Sequence, residues 1–206
     1  QIGIGEVVLP GIVVDARGRN QIAVSPGANA RLAPGRLRKP LALLGPGEVV
    51  LAQLEVPLAT VREAFRRARR RGALTVLNPA PAPSALPKEL LALTDVLVPN
   101  AREAAALLGR AGALSPAELP RAARGLMALG PRAVVVTAGE RGALFLGGSG
   151  EEEGGWVRPP SGIRAVDTTG AGDAFCGALA LRLAEGVPLA GAVRFAVAAA
   201  ALSVRK

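Results

Sequence analysis

The stretch Glu48–Leu77, EVVLAQLEVPLATVREAFRRARRRGALTVL, changes its apolar period twice. Glu48–Glu55 is a short β-type run. Leu58–Arg71 then puts Val61, Ala64 and Phe65 on one face of a helix, and Ala73–Leu77 returns to a β-type run. Strand, helix and strand in this order is the unit from which a parallel sheet is built, because the helix carries the chain back to the starting edge. The alternation continues outward. Pro87–Leu93 reads as a short helix, Val96–Val98 as a strand, and Arg102–Leu108 as a helix. Ser115, Pro116 and Glu118 supply an N-cap, a first-turn proline and a capping-box acid for another helix, and Arg132–Thr137 is the next strand. Ala143–Leu146 and Trp156–Arg158, on either side of Gly147–Gly155, predict an antiparallel hairpin at a sheet edge, with Glu151–Glu153 at its solvated tip. One helix follows Asp167 and ends at Gly186, with Pro188 as its stop, and a last apolar helix covers Leu189–Val204. Towards the N-terminus, Ile12–Val24 alternates as two strands about Asp15–Asn20, a separate β-hairpin. The predicted class is α/β, a mostly parallel sheet covered by helices over residues 48–206, preceded by a hairpin region in residues 1–47.

Composition narrows the chemistry. The 206 residues are 50% apolar and 20% charged, enough to bury one sizeable core. No run of about eighteen apolar residues free of charge, Gly or Pro occurs, and the first residues lack a basic region followed by an apolar run and a cleavage site, so a soluble, cytoplasmic protein is expected, with no membrane partner. A single cysteine, Cys176, excludes an internal disulfide framework and any cysteine metal cluster. With no histidine, Ser-His-Asp and Cys-His nucleophile systems are excluded, and so is every metal site that needs imidazole. Catalysis must use carboxylates, backbone amides, Lys or Arg. The net charge of +9 and the cluster Arg66, Arg67, Arg69, Arg70 and Arg71 raise a nucleic-acid reading. Those arginines lie behind the apolar face of a predicted helix, and four Phe, one Trp and no Tyr offer little with which to stack bases. A solvated helix face accounts for the cluster, and no nucleic-acid partner is expected.

The residues most suggestive of chemistry are Thr168-Thr169-Gly170-Ala171-Gly172-Asp173. Three small residues stand where a loop becomes a helix, so their amides can converge on an anion, and the helix dipole adds roughly 0.3 to 1 kcal/mol of preference for negative charge. Asp173 is out of place in a simple anion hole, since its carboxylate would repel a phosphate. It makes sense as a base that takes a proton from an attacking hydroxyl. A helix cap over a tightly packed glycine turn is the other reading of the same residues. A dinucleotide fingerprint would require a third glycine where Phe175 stands, and the Gly-Lys-Ser/Thr of a Walker A loop is absent.

Ala165-Val166-Asp167-Thr168-Thr169-Gly170-Ala171-Gly172-Asp173-Ala174-Phe175, followed by Gly177-Ala178, resembles the C-terminal signature of the ribokinase-like (phosphofructokinase-B) carbohydrate kinases. The resemblance implies a three-layer α/β/α sandwich and ATP-dependent phosphorylation of a sugar hydroxyl. It also implies Asp173 as general base beside an anion hole at Gly170, Ala171 and Gly172. Asn100-Ala101-Arg102-Glu103 resembles the family's Asn-x-x-Glu element, giving Asn100 a nucleotide contact and Glu103 support of Mg2+, partly through water. Thr137-Ala138-Gly139-Glu140-Arg141-Gly142 resembles its ATP-phosphate loop. Within the family, Asn20–Ala30, Gln53-Leu54-Glu55-Val56-Pro57 and Asn78-Pro79-Ala80-Pro81-Ala82 are similar to the ribokinase branch. That implies D-ribose phosphorylated at O5 to ribose 5-phosphate, with Glu55 at a strand end contacting the sugar.

Asp167 and Thr169 match positions that help bind an activating monovalent cation, usually K+. The resemblance further implies a homodimer formed through a small β lid, to which the Ile12–Val24 hairpin would contribute. Family members are longer. Their Gly-Gly-Lys-Gly-x-Asn-type sugar-binding stretch is not found here, and the loop completing their cation and adenine sites would follow Lys206. Val197 stands where some ribokinases place a polar nucleotide contact. Two other readings remain: a related kinase for fructose, a nucleoside or another hydroxylated metabolite, and a sugar- or nucleotide-binding regulator that has lost turnover.

Overall fold

A computed structural model describes residues 9–14, 20–25, 27–37, 40–147 and 154–205. The hairpin read between Ile12 and Val24 is a two-stranded antiparallel sheet, β1 (Leu9–Val14) and β2 (Asn20–Ser25), with Ile12 opposite Ile22. Its turn lies outside the described residues, as does the acidic run Glu151–Glu153. Three short 3-10 turns follow, Gly27–Arg31, Pro34–Leu37 and Pro40–Leu43, none of which the apolar period foretold.

The main sheet contains β3 (Val49–Ala52), β4 (Leu74–Leu77), β5 (Val96–Leu97), β6 (Ala133–Thr137), β7 (Ala143–Gly147) and β8 (Gly154–Val157), side by side in chain order. β3 to β6 run parallel, and β7 and β8 are added antiparallel. The connecting helices are α1 (Leu58–Arg70), α2 (Lys88–Ala92), α3 (Ala101–Leu107) and α4 (Leu119–Met127), followed after the sheet by α5 (Ala171–Ala184) and α6 (Leu189–Ser203).

Successive side chains of a strand point to opposite faces, and the core divides accordingly. Leu77, Leu97, Val134, Val136 and Leu144 pack with Val61 and Phe65 of α1, Ala104 of α3 and Leu126 of α4. Their neighbours Val76, Val96, Val135 and Phe145 pack on the other face with Phe175 and Leu179 of α5 and Val193 of α6. The result is the expected α/β/α sandwich. The central strands are rich in Val and Leu because both of their faces are covered.

Three local expectations need correction. The helix expected to open at Ser115 begins at Leu119. Glu118 does accept from the Ser115 amide at 2.8 Å and from its hydroxyl at 2.7 Å, but this closes only a turn. Pro120 has no N–H to give the Pro116 carbonyl, so the i to i−4 ladder starts with Ala122 N donating to Glu118 O at 3.0 Å. The edge hairpin is also longer than read, since Gly147, Gly154 and Gly155 belong to its strands, while Arg158 lies beyond them. A Cβ on Gly154 would come 2.9 Å from the Phe145 carbonyl oxygen, so these glycines mark close backbone approach within a sheet. Finally, β3 stops at Ala52, and the chain bends through Leu54–Val56.

The arginine cluster is more than a solvated face. Arg66 pairs with Glu63 at 2.8 Å and Glu89 at 2.5 Å, and Arg67 pairs with Glu63 at 2.7 Å. Arg69 reaches the buried Asp95 at 2.7 Å, whose other oxygen accepts from the Thr75 amide and hydroxyl, both at 2.9 Å. Much of the positive charge is thus spent within the fold, fixing α1 to the start of β5.

Candidate active site

Parallel strands all end on the same side, and the loops leaving those ends converge there, which is where open α/β sheets hold ligands. After β5 the chain passes Pro99 and enters α3 with Asn100 as N-cap. Asn100 Oδ1 accepts from the amides of Arg102 at 2.9 Å and Glu103 at 2.8 Å. In return Glu103 accepts from the Asn100 amide through Oε2 and from Asn100 Nδ2 through Oε1, both at 2.8 Å. This capping box orients both residues. Burial pushes the Glu103 carboxyl above its usual range, against the smaller opposing effect of the Asn100 amide. Asn100 also forms a parallel bridge to Thr137, so the element after β5 and the loop after β6 sit side by side.

The Thr137–Gly142 loop is a tight turn closed by Ala138 N donating to Gly142 O at 2.8 Å. Facing it across a cavity of about 640 Å³ are Thr168, Ala171 and Gly172 at the entrance to α5, while Phe175, Val197 and Val204 form an apolar wall. Thr137 and Gly139 also line a second cavity of about 360 Å³ shared with Asn100 and Arg102. Gly170, the N-cap of α5, has φ +75°, a conformation that glycine adopts without penalty. No side chain caps this helix, and the amides of Gly172 and Asp173 have no partner among the described residues. Free amides at the head of a fourteen-residue helix, bordering a cavity, can receive an anion.

Asp173 lies in the first turn of α5 and is exposed. It is not part of the wall of either cavity. Its Oδ1 reaches the other way, accepting from Gln53 Nε2 at 2.8 Å just beyond the end of β3. The glycine loop therefore stands between a cavity on one side and the Asp173 carboxylate on the other, an arrangement that can hold a phosphoryl group over the loop and a hydroxyl beside the carboxylate. Gln53 and Asn78, joined to Asp173 by hydrogen bonds, carry no role in the sequence reading, although both fall just past the strand ends in the ribokinase-like stretches Gln53–Pro57 and Asn78–Ala82. Glu55, by contrast, is exposed and has no hydrogen bond or ion pair among the described residues.

Asp167 accepts from the Thr169 amide at 2.8 Å, and this bond, with help from the Thr169 hydroxyl, holds its carboxyl below the usual range. An exposed carboxylate held by the Thr169 amide beside the free amides of the glycine loop could help hold a monovalent cation. Among the described residues no three His, Cys, Asp or Glu side chains converge to cage a metal. Mg2+ bound chiefly by phosphates and water needs only one or two carboxylates, and Glu103 offers one. Cys176 is buried one turn after Asp173, and its thiol is pushed up to about 12 by burial and then by the charges of Asp173 and Glu103, so it stays protonated and inert. Among the described residues no helix is long and apolar enough to cross a membrane.

Comparison with known proteins agrees with this geometry. Residues 10–206 match the pfkB family carbohydrate kinase model, and the chain belongs to that family. Within it, the chain is 37% identical over 196 residues to the ribokinase of Staphylococcus aureus (strain COL), an alignment covering 95% of this chain and 62% of that protein. It is 35% identical over 197 residues to the deoxyribokinase of Salmonella typhi, covering 94% and 61%. The structure of Arabidopsis thaliana ribokinase complexed with ribose and ATP superimposes with a TM-score of 0.81 at 26% identity, covering 98% of this chain and 64% of that one. The chain spans less than two thirds of the length of each.

Proposed function

We propose that the protein carrying this chain is an ATP-dependent kinase that phosphorylates D-ribose at O5 to give ribose 5-phosphate. The supporting observation is the pairing of the exposed Asp173 carboxylate with the unpartnered amides of Gly172 and Asp173, at a loop that shares its cavity with Thr137, Gly139, Glu140 and Gly142. ATP lies in that cavity, its base against Val197 and its phosphates between the Thr137–Gly142 loop and Asn100. The sugar sits on the Gln53 side of the glycine loop, where Glu55 contacts it. The ribose O5 proton passes to Asp173 as O5 bonds to the γ-phosphorus and the bond to the ADP oxygen breaks, while the amides of the Gly170–Gly172 loop hold the equatorial oxygens. Glu103 would hold Mg2+, which when bound neutralises phosphate charge, and Asp167 with Thr169 would hold K+. The β1–β2 sheet serves as a lid over the sugar and as the surface of a homodimer, and the enzyme works in the cytoplasm.

The test is ADP release by the full-length protein in a coupled assay with D-ribose, 2-deoxy-D-ribose, fructose and a nucleoside, each with and without K+. Ribose should give the highest kcat/KM, and K+ should raise it. The similarity to a deoxyribokinase favours 2-deoxy-D-ribose as the second reading, and a preference for that sugar would replace the first. No ADP release with any acceptor would reject the assignment as a kinase.

Gly172→Ala separates folding from chemistry. A Cβ there meets no atom within 4 Å, and alanine is the better helix former by up to about 1 kcal/mol, so stability should hold or rise. The added methyl occupies the space over the loop where the phosphoryl group must approach, and a misplacement of about 1 Å costs on the order of 10²-fold. A thermal melt at or above the wild-type midpoint, with kcat lowered about 10- to 100-fold, is the expected pair of results.

A further inference from the structure

Gln53 is fixed from two sides. Its backbone neighbourhood is clamped where β3 meets β4, with Asn78 N donating to Ala52 O at 2.9 Å and Leu54 N donating to Ala80 O at 2.9 Å. This brings the Gln53 and Asn78 side chains together beyond the strand ends. Asn78 Nδ2 donates to the Val98 carbonyl at 2.8 Å, and Gln53 Nε2 donates both to Asn78 Oδ1 at 3.2 Å and to Asp173 Oδ1 at 2.8 Å.

The direction of this chain is not free. A main-chain carbonyl can only accept, so the Val98 oxygen forces Asn78 to turn its NH2 group towards β5 and its oxygen towards Gln53. That oxygen in turn forces Gln53 to present its own NH2, whose two hydrogens are then shared between Asn78 and Asp173. The polarity set at β5 therefore arrives at Asp173 as a donor and never as an acceptor.

We infer that Gln53, oriented by Asn78, is a positioning residue for the general base: it ties down Asp173 Oδ1 and thereby reserves Oδ2 for the sugar hydroxyl. This rests on the reading of Asp173 as the base. Oδ2 has no partner among the described residues, and Asp173 is exposed, so without Gln53 its carboxylate would be free to rotate in solvent. A neutral amide suits the task, because it restricts the carboxylate without placing a full positive charge beside a group that must accept a proton.

The test compares Gln53→Met, Gln53→Glu and Asp173→Asn in the full-length protein, measuring kcat, KM for ATP and ribose, and the pH profile of kcat/KM. Methionine keeps the length of the side chain and removes the donor. It should lower kcat about 10- to 100-fold with KM for ATP unchanged, since only alignment at the reacting hydroxyl is lost. Glutamate sets a second carboxylate against Asp173. The two must share a proton, so the acid limb of the profile should move to higher pH, a change that a merely structural role for Gln53 would not produce. Wild-type kcat in Gln53→Met together with an unmoved acid limb in Gln53→Glu, while Asp173→Asn is inactive, would overturn the role of Gln53 and leave the base assignment standing. Full turnover in Asp173→Asn would overturn both.

Discussion

Asp173→Asn should lower kcat by about 10² to 10⁴ while leaving ATP affinity and stability unchanged. Asparagine retains the carbonyl oxygen that accepts from Gln53 Nε2 at 2.8 Å, so the side chain keeps its place at the head of α5. What changes is the other terminal atom. An NH2 group replaces Oδ2, and it can donate a hydrogen bond to the hydroxyl oxygen but cannot take its proton. The cavity proposed to hold the nucleotide is lined by Thr137, Gly139, Ala171 and Gly172 and not by Asp173, which is why ATP binding should survive. The residual rate would come from the anion hole and from orientation alone. A variant turning over at near wild-type speed would show that the proton leaves by another route.

The layered architecture was legible because apolar period and burial say the same thing twice. Leu58–Arg71 was expected as a helix and α1 is Leu58–Arg70, and Arg132–Thr137 was expected as a strand and β6 is Ala133–Thr137. Legibility failed where one residue type serves two geometries. Gly154 and Gly155 looked like loop because glycine is usually a turn former, yet here it permits a strand to lie against Phe145. Pro116 looked like the first residue of a helix, and a second proline four residues on, invisible to a capping rule, moved the start to Leu119.

The site was partly legible for a related reason. Asn100, Glu103, Thr137 and Gly170–Asp173 each lie in a local motif at the end of an element; Asn100, Thr137, Ala171 and Gly172 line the cavities at the strand ends, while Glu103 is held to Asn100 and Asp173 turns towards Gln53. The contact between Gln53 and Asp173 spans 120 positions and depends on β3 and α5 meeting in space, which no local pattern encodes. Asn78 is as far out of reach of any local pattern, and the donor chain through Gln53 appears only when the strand ends are aligned in the fold.

Gly142→Ala should be the most damaging substitution to the fold. Gly142 has φ +88° and ψ −130°, a region essentially reserved for glycine, and leaving it there as alanine costs about 1 to 3 kcal/mol. Space is the larger obstacle. A Cβ would lie 1.9 Å from the Val157 carbonyl oxygen and 3.1 Å from the Arg158 Cα, and both are main-chain atoms that no rotamer change can move aside. Relief requires β8 to shift from β7, against the register that pairs Ala143 with Val157, adding about 1 to 3 kcal/mol more. The sum is comparable with the whole stability of a marginal domain.

Gly139→Ala provides the control. It shares the positive φ, at +58°, but a Cβ there meets nothing within 4 Å, so only the local strain of about 1 to 2 kcal/mol applies. Denaturant unfolding should therefore place Gly139→Ala slightly below wild type and Gly142→Ala far below it. Because Gly142 O also accepts the Ala138 amide that closes the loop, ATP binding should fall with the fold in Gly142→Ala. Equal midpoints for the two variants would mean that the conformation at Gly142 matters and the proximity of β8 does not.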